Sequence, residues 1–403
     1  MIKSIQIKNF KSVVDLSLDL GVFNVLIGEN GCGKSNVLEA IAFGAAASND
    51  KLDYEYFGNR GIRATNPEFM YSAFTNGKKK KSIEVNITTD ERQYPYNLEH
   101  EQNNTKRWVN KNKEVALKEI EKIFKTLYLE NDEEKRAKVL AEISEGKDEI
   151  LLISELLKPY RSENDLKEFF GKLYPTLLEK AFSNNEISEY MIYSPEQSHL
   201  RKTDETTPIY PLGNKGEGLF QFIKELAYDK KNKITLSNIK NNLNLLDWYE
   251  DFDLPENLMT NEFSLKIKDK YLYENLKYFD QRSTNEGFLF LLFYSTLFIS
   301  KITPSFFAID NIDASFNPKL CMQLTMNLAT LAKKHKKQVI VTTQNPAILD
   351  GLNLKDDNQR LFVISRNSDG HTRAERINYN EKRTMRLSEV WTKGFIGGLP
   401  ENF

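Results

Sequence analysis

The feature that most constrains this chain is a glycine-rich loop between an apolar run and a helical pattern. Val22–Ile27 is apolar and typical of a β-strand, and Asn36–Ala42 has the apolar spacing of a helix. Residues 28–35 between them read Gly-Glu-Asn-Gly-Cys-Gly-Lys-Ser, which matches G-x-x-x-x-G-K-[ST]. Such glycines let the backbone turn its N–H groups towards phosphate oxygens, and the helix N-terminus adds partial positive charge. The sequence therefore predicts a phosphate-binding loop (P-loop) in an α/β fold.

The candidate nucleotide contacts lie in and just after this loop. Lys34 is expected to reach the β and γ phosphates of the nucleotide, and the Ser35 hydroxyl is expected to ligate Mg²⁺. The remaining candidate contacts are Asn30, Gly31, Cys32, Gly33 and Asn36. A chance match in a glycine-rich turn is the alternative, but the flanking strand and helix disfavour it.

A second acidic residue is needed to hold the magnesium ion, and it usually ends an apolar strand. Ser305–Ile309 supplies such a strand, and Asp310 follows it directly. Asp310 is therefore the second candidate metal ligand beside Ser35. The next residue, Asn311, has an amide in place of a carboxylate and cannot act as a general base. Asp313, two residues further on, is an alternative base.

The N-terminal region resembles a known group of ATPases. Ile5–Ser12 and Val14–Leu20 read as a β-hairpin, and the segment "IKNFKS" is followed by "NVLIGENGCGKSN". This combination resembles the ATPase heads of the RecF, SMC and OLD families. The resemblance implies a P-loop NTPase of the ABC-ATPase head type, with a mixed sheet and helices, that uses ATP and Mg²⁺. It also implies a nucleotide contact at Lys11, for which an ordinary surface lysine is the alternative.

Two departures from the family pattern bear on hydrolysis. The family normally has a water-activating glutamate at the position of Asn311, and a histidine that senses the γ-phosphate at the position of Gln344. Glutamine can bind phosphate through a hydrogen bond but cannot become charged. We therefore expect ATP binding with slow or absent turnover. Ordinary hydrolysis, with Asp313 or a partner residue filling the gap, is the alternative.

Residues 281–287 resemble the degenerate signature segment of OLD-like ATPases. Asn285 stands near the usual serine, and Gly287 would allow close backbone approach at the start of the apolar run Phe288–Tyr294. In ABC-type heads the signature helix of one protomer covers the γ-phosphate that is bound by the other. The resemblance therefore implies a homo-oligomer, a head-to-head dimer or higher. An N-capped buried helix is the structural alternative, and both readings can hold together.

The chain is expected to have three parts. Residues 1–100 form ATPase lobe I with the P-loop, and residues 101–188 form a helical insertion. Residues 189–403 form lobe II, which carries the signature, the Asp310 strand and the switch position Gln344. Within the insertion, residues 111–158 carry 10 basic and 12 acidic residues in 48 and show helical apolar spacing. An SMC coiled-coil arm would be longer, so the insertion is either a lid or a docking surface. The glycine-rich stretch Pro211–Leu219 lacks a lysine–hydroxyl pair and is expected to end a loop before a helix.

Charge and composition limit the classes of partner that we expect this chain to bind. The 56 basic and 57 acidic residues argue against a uniformly basic nucleic-acid clamp, although DNA contact at a local basic patch stays open. Two cysteines indicate neither a metal cluster nor a disulfide framework. The longest apolar run, 288–299, is shorter than the roughly 20 residues that span a bilayer. We therefore expect a cytoplasmic protein without a membrane partner.

A C-terminal TOPRIM nuclease is not expected, because the chain ends soon after the switch. Heads of this kind resemble the ATPase subunits of anti-phage defence systems such as Septu and PARIS. That resemblance implies an ATPase that oligomerises and scaffolds or regulates an effector nuclease from an adjacent gene. The alternative is an active DNA-binding ATPase in recombination or repair. A small-molecule kinase is disfavoured by the signature-like segment.

Overall fold

The centre of the molecule is a six-stranded mixed sheet. A computed structural model describes residues 1–74, 82–101, 107–115, 118, 184–203, 206–254, 265–273, 276–280 and 282–399. The strands of the central sheet are β3 (Phe23–Ile27), β7 (Ile192–Tyr193), β11 (Phe306–Ile309), β12 (Gln338–Thr342), β13 (Gln359–Arg366) and β14 (Thr372–Ile377). Their order is β14-β13-β3-β12-β11-β7, and only β14 runs antiparallel to its neighbour. Strands β3, β11 and β12 are buried along their whole length, as expected for parallel strands covered on both faces.

A five-stranded antiparallel sheet forms a second layer. Its strands are β1 (Ile2–Phe10), β2 (Val13–Asp19), β4 (Ile83–Thr89), β5 (Gln93–Glu101) and β6 (Arg107–Asn110), in the order β2-β1-β4-β5-β6. The N-terminal hairpin expected from the sequence is confirmed by the pairing of β1 with β2. The sheet continues to Asn110, ten residues past the predicted boundary of lobe I at residue 100. The three-part division itself stays a prediction.

A small third sheet has the order β10-β9-β8, with β8 (Tyr249–Asp253), β9 (Lys266–Asp269) and β10 (Phe279–Asp280).

Most of the predicted helical insertion lies outside the described residues. The hairpin of β13 and β14 near the end of the described chain is confirmed. None of the described helices is long and apolar enough to cross a lipid bilayer.

The described residues form ten α-helices. They are α1 (Lys34–Ser48), α2 (Tyr54–Asn59), α3 (Pro67–Met70), α4 (Asn185–Ser188), α5 (Gln197–Leu200), α6 (Leu219–Tyr228), α7 (Lys233–Asn242), α8 (Glu286–Ile299), α9 (Pro318–Lys334) and α10 (Leu387–Thr392). Helix α6 begins directly after the glycine-rich stretch, as the sequence predicts.

Helix α1 is held between the central sheet and the antiparallel sheet. One apolar cluster joins α1 to β1, β4 and the side chains on one face of the central sheet, such as Leu26 and Ile340. The alternate residues Val25 and Val341 point to the other face, where they pack with α6, α8 and α9. The helix that follows the P-loop is therefore buried on nearly every side.

Gln338, the first residue of β12, ties the two sheets together through buried hydrogen bonds. Its Nε2 donates to the carbonyls of Ile2 and Gly21 at 2.7 and 2.8 Å, and its Oε1 accepts from the Ile2 N–H at 2.9 Å. The side chain thus supplies hydrogen-bond partners to buried backbone groups at the start of β1 and in the turn before β3.

We expect Gln338→Leu to lower the free energy of unfolding by roughly 3 kcal/mol, because it leaves buried backbone groups unsatisfied. Urea unfolding measures this change. Gln221→Leu, at an exposed position of α6, is the matched control and should change stability by less than about 0.5 kcal/mol. Equal losses in the two variants would contradict the role of Gln338.

Candidate functional site

The P-loop is shaped by a close approach to β14. Gly33 has a φ of 112°, and a Cβ atom at this position would overlap the Thr372 hydroxyl. The Thr372 Oγ1 donates to the carbonyl of Cys32 at 2.9 Å and lies 2.7 Å from the Ser12 hydroxyl. Thr372 therefore fixes the P-loop backbone on the side that faces β14. Gly31, by contrast, has no neighbouring heavy atom within 4 Å of its ideal Cβ position, so it lies on the open side of the loop.

Two further candidate residues of the loop are held by this network. Asn36 donates from Nδ2 to the Ser12 hydroxyl at 2.7 Å, which links α1 to the turn between β1 and β2. Cys32 is buried, and burial raises the pKa of its thiol, so that the sulfur stays protonated near neutral pH. The buried thiol therefore carries no charge at the loop.

Lys34 lies inside the curve of the P-loop. Its buried Nζ donates to the carbonyls of Gly28 and Glu29 at 2.7 and 2.9 Å. These hydrogen bonds hold the ammonium at the loop. The role of Lys34 as a phosphate ligand stays a prediction.

Ser35 and Asp310 meet, although 275 residues separate them. The Ser35 Oγ donates to Asp310 Oδ2 at 3.1 Å, and the Thr342 hydroxyl donates to the other carboxylate oxygen. Hydroxyl and carboxylate oxygens are the ligands that Mg²⁺ prefers, and the ion usually keeps several waters and phosphate oxygens besides. This pair therefore fits a magnesium ion that comes with a nucleotide. Elsewhere in the described residues, no group of three or more His, Cys, Asp and Glu side chains could hold a metal ion.

The three candidate catalytic positions have different surroundings. Asn311 adopts a left-handed conformation with a φ of 56°, which asparagine tolerates better than most residues, and its N–H donates to the Thr342 hydroxyl at 2.9 Å. Asp313 accepts a hydrogen bond from Thr343 Oγ1 at 2.6 Å. Gln344 donates from Nε2 to Asn30 Oδ1 at 2.6 Å, so the switch position touches the P-loop. Their catalytic roles stay predictions.

A cavity of about 390 Å³ opens beside the Ser35–Asp310 pair, and we call it the P-loop cavity. Three segments outside the sequence motifs contribute to its walls: the end of α2 with residues 61–63, the end of β7 with residues 194 and 196, and residues 214–215. The last of these belongs to the glycine-rich stretch to which the sequence assigned no ligand role. Its glycine content was the available signal, but sequence could not show which site the stretch would reach.

Lys11 contacts α1 through an ion pair with the buried carboxylate of Glu39. Glu39, one turn after Ser35, is 2% exposed and pairs with both the Lys11 ammonium and the Arg63 guanidinium. The side chain of Lys11 is largely buried, whereas that of Arg63 is largely exposed and lines the P-loop cavity. Glu39 is the one acidic residue of α1, and an acidic side chain within a largely apolar helix is a sequence signal for such a pair.

The signature segment lies at a different cavity. Asn285 caps α8 by accepting a hydrogen bond from the Phe288 N–H at 2.8 Å, so the structural alternative for this residue is confirmed. A cavity of about 400 Å³, which we call the signature cavity, is lined by Asn285, Gly287 and Ser315 among others. The residues that line the two cavities do not overlap. The structure thus groups the P-loop candidates together and keeps the signature candidates apart from them.

Arg201 connects the two regions. It follows α5, which itself follows the wall of the P-loop cavity at residue 196. Its guanidinium donates to the carbonyls of Arg282 and Thr284 at 2.8 and 2.9 Å, directly before the signature helix. A few residues therefore join the cavity wall to the start of α8.

Comparison with known proteins assigns the chain to a family. A family model described as AAA domain, putative AbiEii toxin, Type IV TA system, matches residues 23–350. The chromosome partition protein Smc of Methanocaldococcus jannaschii is 31% identical over 143 residues, which are 34% of this chain and 10% of that protein. The matched region thus spans about a tenth of the length of this relative.

Solved SMC heads also resemble the chain. An SmcHead bound to the C-winged helix domain of ScpA is 18% identical, with a TM-score of 0.49 over 94% of this chain and 98% of that chain. The SMC head domain from Thermotoga maritima is 11% identical, with a TM-score of 0.45 over 94% and 99% of the two chains. The family match and the sheet topology described above confirm the predicted fold class, an α/β P-loop fold of the ABC-ATPase head type with mixed sheet and helices.

We expect Glu39→Gln to lower the free energy of unfolding by about 1–3 kcal/mol, because it leaves two cations without their buried partner. Chemical denaturation measures the loss. Glu84→Gln is the control, since Glu84 faces Lys8 at 3.8 Å on the surface and such pairs contribute at most about 1 kcal/mol. Indistinguishable midpoints for the two variants would argue against the buried cluster.

Proposed function

This chain belongs to the AAA domain family described as putative AbiEii toxin, Type IV TA system, and we propose that it binds ATP with Mg²⁺ and turns it over slowly or not at all. In this proposal the bound nucleotide controls assembly of the protein, and the assembly scaffolds or regulates an effector nuclease in antiviral defence. Family membership supports nucleotide and magnesium use in general. The finer steps rest on the residues described above.

The observation that carries the proposal is the hydrogen bond between Ser35 and Asp310. A P-loop serine and a strand-end carboxylate lie within hydrogen-bond distance of each other, and Lys34, the residue before Ser35, has its ammonium buried at the loop. A nucleoside triphosphate with its magnesium ion supplies the charge that these three groups complement. Lys34 and the loop backbone would bind the phosphates, while Ser35 and Asp310 would hold the metal.

Slow turnover is proposed from the side chain that follows Asp310. Hydrolysis needs a group that orients water and accepts its proton, and Asn311 provides only an amide. The Asp313 carboxylate is engaged by the Thr343 hydroxyl at 2.6 Å. Gln344 can donate a hydrogen bond to a terminal phosphate but carries no charge. This combination favours holding ATP over cleaving it.

Assembly is proposed from the separation of the two cavities. Asn285 and Gly287 line the signature cavity, whereas Ser35 and Asp310 line the P-loop cavity. A head-to-head dimer would let the signature helix of one protomer reach the nucleotide that is bound by the other. A cytoplasmic location and an effector nuclease encoded nearby are the further parts of this proposal, and they come from the family resemblance.

Restoring the missing carboxylate tests the proposed lack of turnover. We expect Asn311→Glu to raise ATP hydrolysis by at least about tenfold, since a positioned general base contributes roughly 10²–10⁴-fold. Asn311→Gln is the matched control, because it has the same side-chain length without a carboxylate, and it should stay as slow as the wild type. Phosphate release measures turnover, and Lys34→Ala should lose ATP binding.

The opposite outcome would favour an active DNA-repair ATPase. In that case the wild-type protein would hydrolyse ATP briskly, DNA would stimulate it, and Asp310→Ala would abolish it. That set of results would overturn the proposal of a slow nucleotide switch.

The signature cavity provides a test of assembly. A Cβ atom at Gly287 would make only ordinary van der Waals contacts, the nearest with Asn285 Oδ1 at 3.6 Å, so the fold can accept an added side chain at this position. We expect Gly287→Arg to bind Mg·ATP normally but to block the ATP-dependent increase in mass that light scattering should show for the wild type. Asn241→Arg, at an exposed position of α7, is the control and should assemble normally. Normal assembly of Gly287→Arg would contradict the proposed dimer.

A further inference from the structure

The glycine-rich stretch is fixed at the P-loop cavity by its backbone. The carbonyls of Asn214 and Lys215 accept hydrogen bonds from the N–H groups of Ser194 and Glu196 at 2.7 and 2.9 Å. The Asn214 side chain donates to the carbonyl of Gly58 at 3.2 Å. Residues 214–215 are therefore held to the segment after β7 and to the end of α2 at the same time.

A buried carboxylate keeps the tip of this stretch in place. Glu217 is 9% exposed, and its Oε2 accepts from the Lys215 N–H at 2.8 Å, while its carbonyl accepts from the Gly213 N–H at 3.0 Å. The backbone at Lys215 is thus set by bonds on both sides. The side chain of Lys215 can therefore change its position while its backbone stays fixed.

The Lys215 side chain has a partner that it can exchange. Its ammonium lies 3.1 Å from the carboxylate of Glu196, and each of the two side chains is 47% exposed. Such an exposed pair contributes only about 0–1 kcal/mol. A phosphate group carries more charge and more acceptor oxygens than a carboxylate, so it competes well for the ammonium.

Both members of this pair line the same cavity as Ser35 and Asp310. We infer that Lys215 senses the terminal phosphate of a bound nucleoside triphosphate by exchanging Glu196 for that phosphate. A diphosphate would leave Lys215 paired with Glu196. The inference rests on the proposed nucleotide binding and adds to it a residue that distinguishes triphosphate from diphosphate.

Binding of ATPγS and ADP to the full-length protein, measured by calorimetry with Mg²⁺, tests this inference. We expect Lys215→Ala to weaken ATPγS binding by about tenfold or more, the effect of losing one charge-assisted bond, and to leave ADP binding within about twofold. Lys334→Ala removes the same charge from an exposed position at the end of α9 and should change neither affinity.

A second variant is expected to strengthen ATPγS binding rather than weaken it. Glu196→Gln releases Lys215 and should strengthen ATPγS binding relative to ADP by a factor of about two to five, which is the worth of an exposed pair. The gain should vanish when Lys215→Ala is also present, as a double-mutant cycle would show. This result does not depend on the stability of the single Lys215 variant.

The outcomes separate this inference from the proposed function. Equal loss of ATPγS and ADP binding in Lys215→Ala, or no loss of either, would overturn the sensor while leaving the nucleotide site intact. A gain from Glu196→Gln that persists without Lys215 would overturn it too. If the wild-type protein binds neither nucleotide, the proposed function fails and the sensor fails with it.

Discussion

The burial of α1 between two sheets is the constraint on which the rest of the site depends. Its apolar residues pack against β1 and β4 on one side and against the central sheet on the other. The first turn of this packed helix places Ser35 next to Asp310, the residue that follows β11. The hydrogen bonds from Ser35 and Thr342 to Asp310 follow from that placement.

Two groups of paired charges lie beside helix α1 and the P-loop cavity. Glu39 is buried yet stabilised, because Lys11 and Arg63 pair with it from two different segments. Glu196 and Lys215 form a second, more exposed pair that also lines the P-loop cavity. The first pair is buried inside the fold, whereas an exposed pair such as the second contributes only about 0–1 kcal/mol. The signature helix lies at a separate cavity.

Sequence reasoning succeeded where the signal is local. The P-loop, the strand that ends at Asp310, the first hairpin and the last hairpin all follow from short patterns of glycine, apolar and polar residues, and the structure confirms these elements. It also succeeded in pairing Ser35 with Asp310, because the chemistry of a metal site requires both. It could not find Thr372, Arg63 or Lys215, since each acts through contacts with segments far away in the chain. The predicted insertion falls mostly outside the described residues.

The sequence by itself determined the AAA-type ATPase character of the chain, its P-loop motif, the carboxylate that ends an apolar strand, and the amide that follows it. Backbone conformation and side-chain type are properties of a few neighbouring residues, so a motif can encode them. Only the tertiary structure decided which groups share a cavity, which carboxylate is buried, and that the glycine-rich stretch forms a wall of the P-loop cavity. Those facts depend on how the sheets pack around α1, and packing joins residues that no local pattern connects.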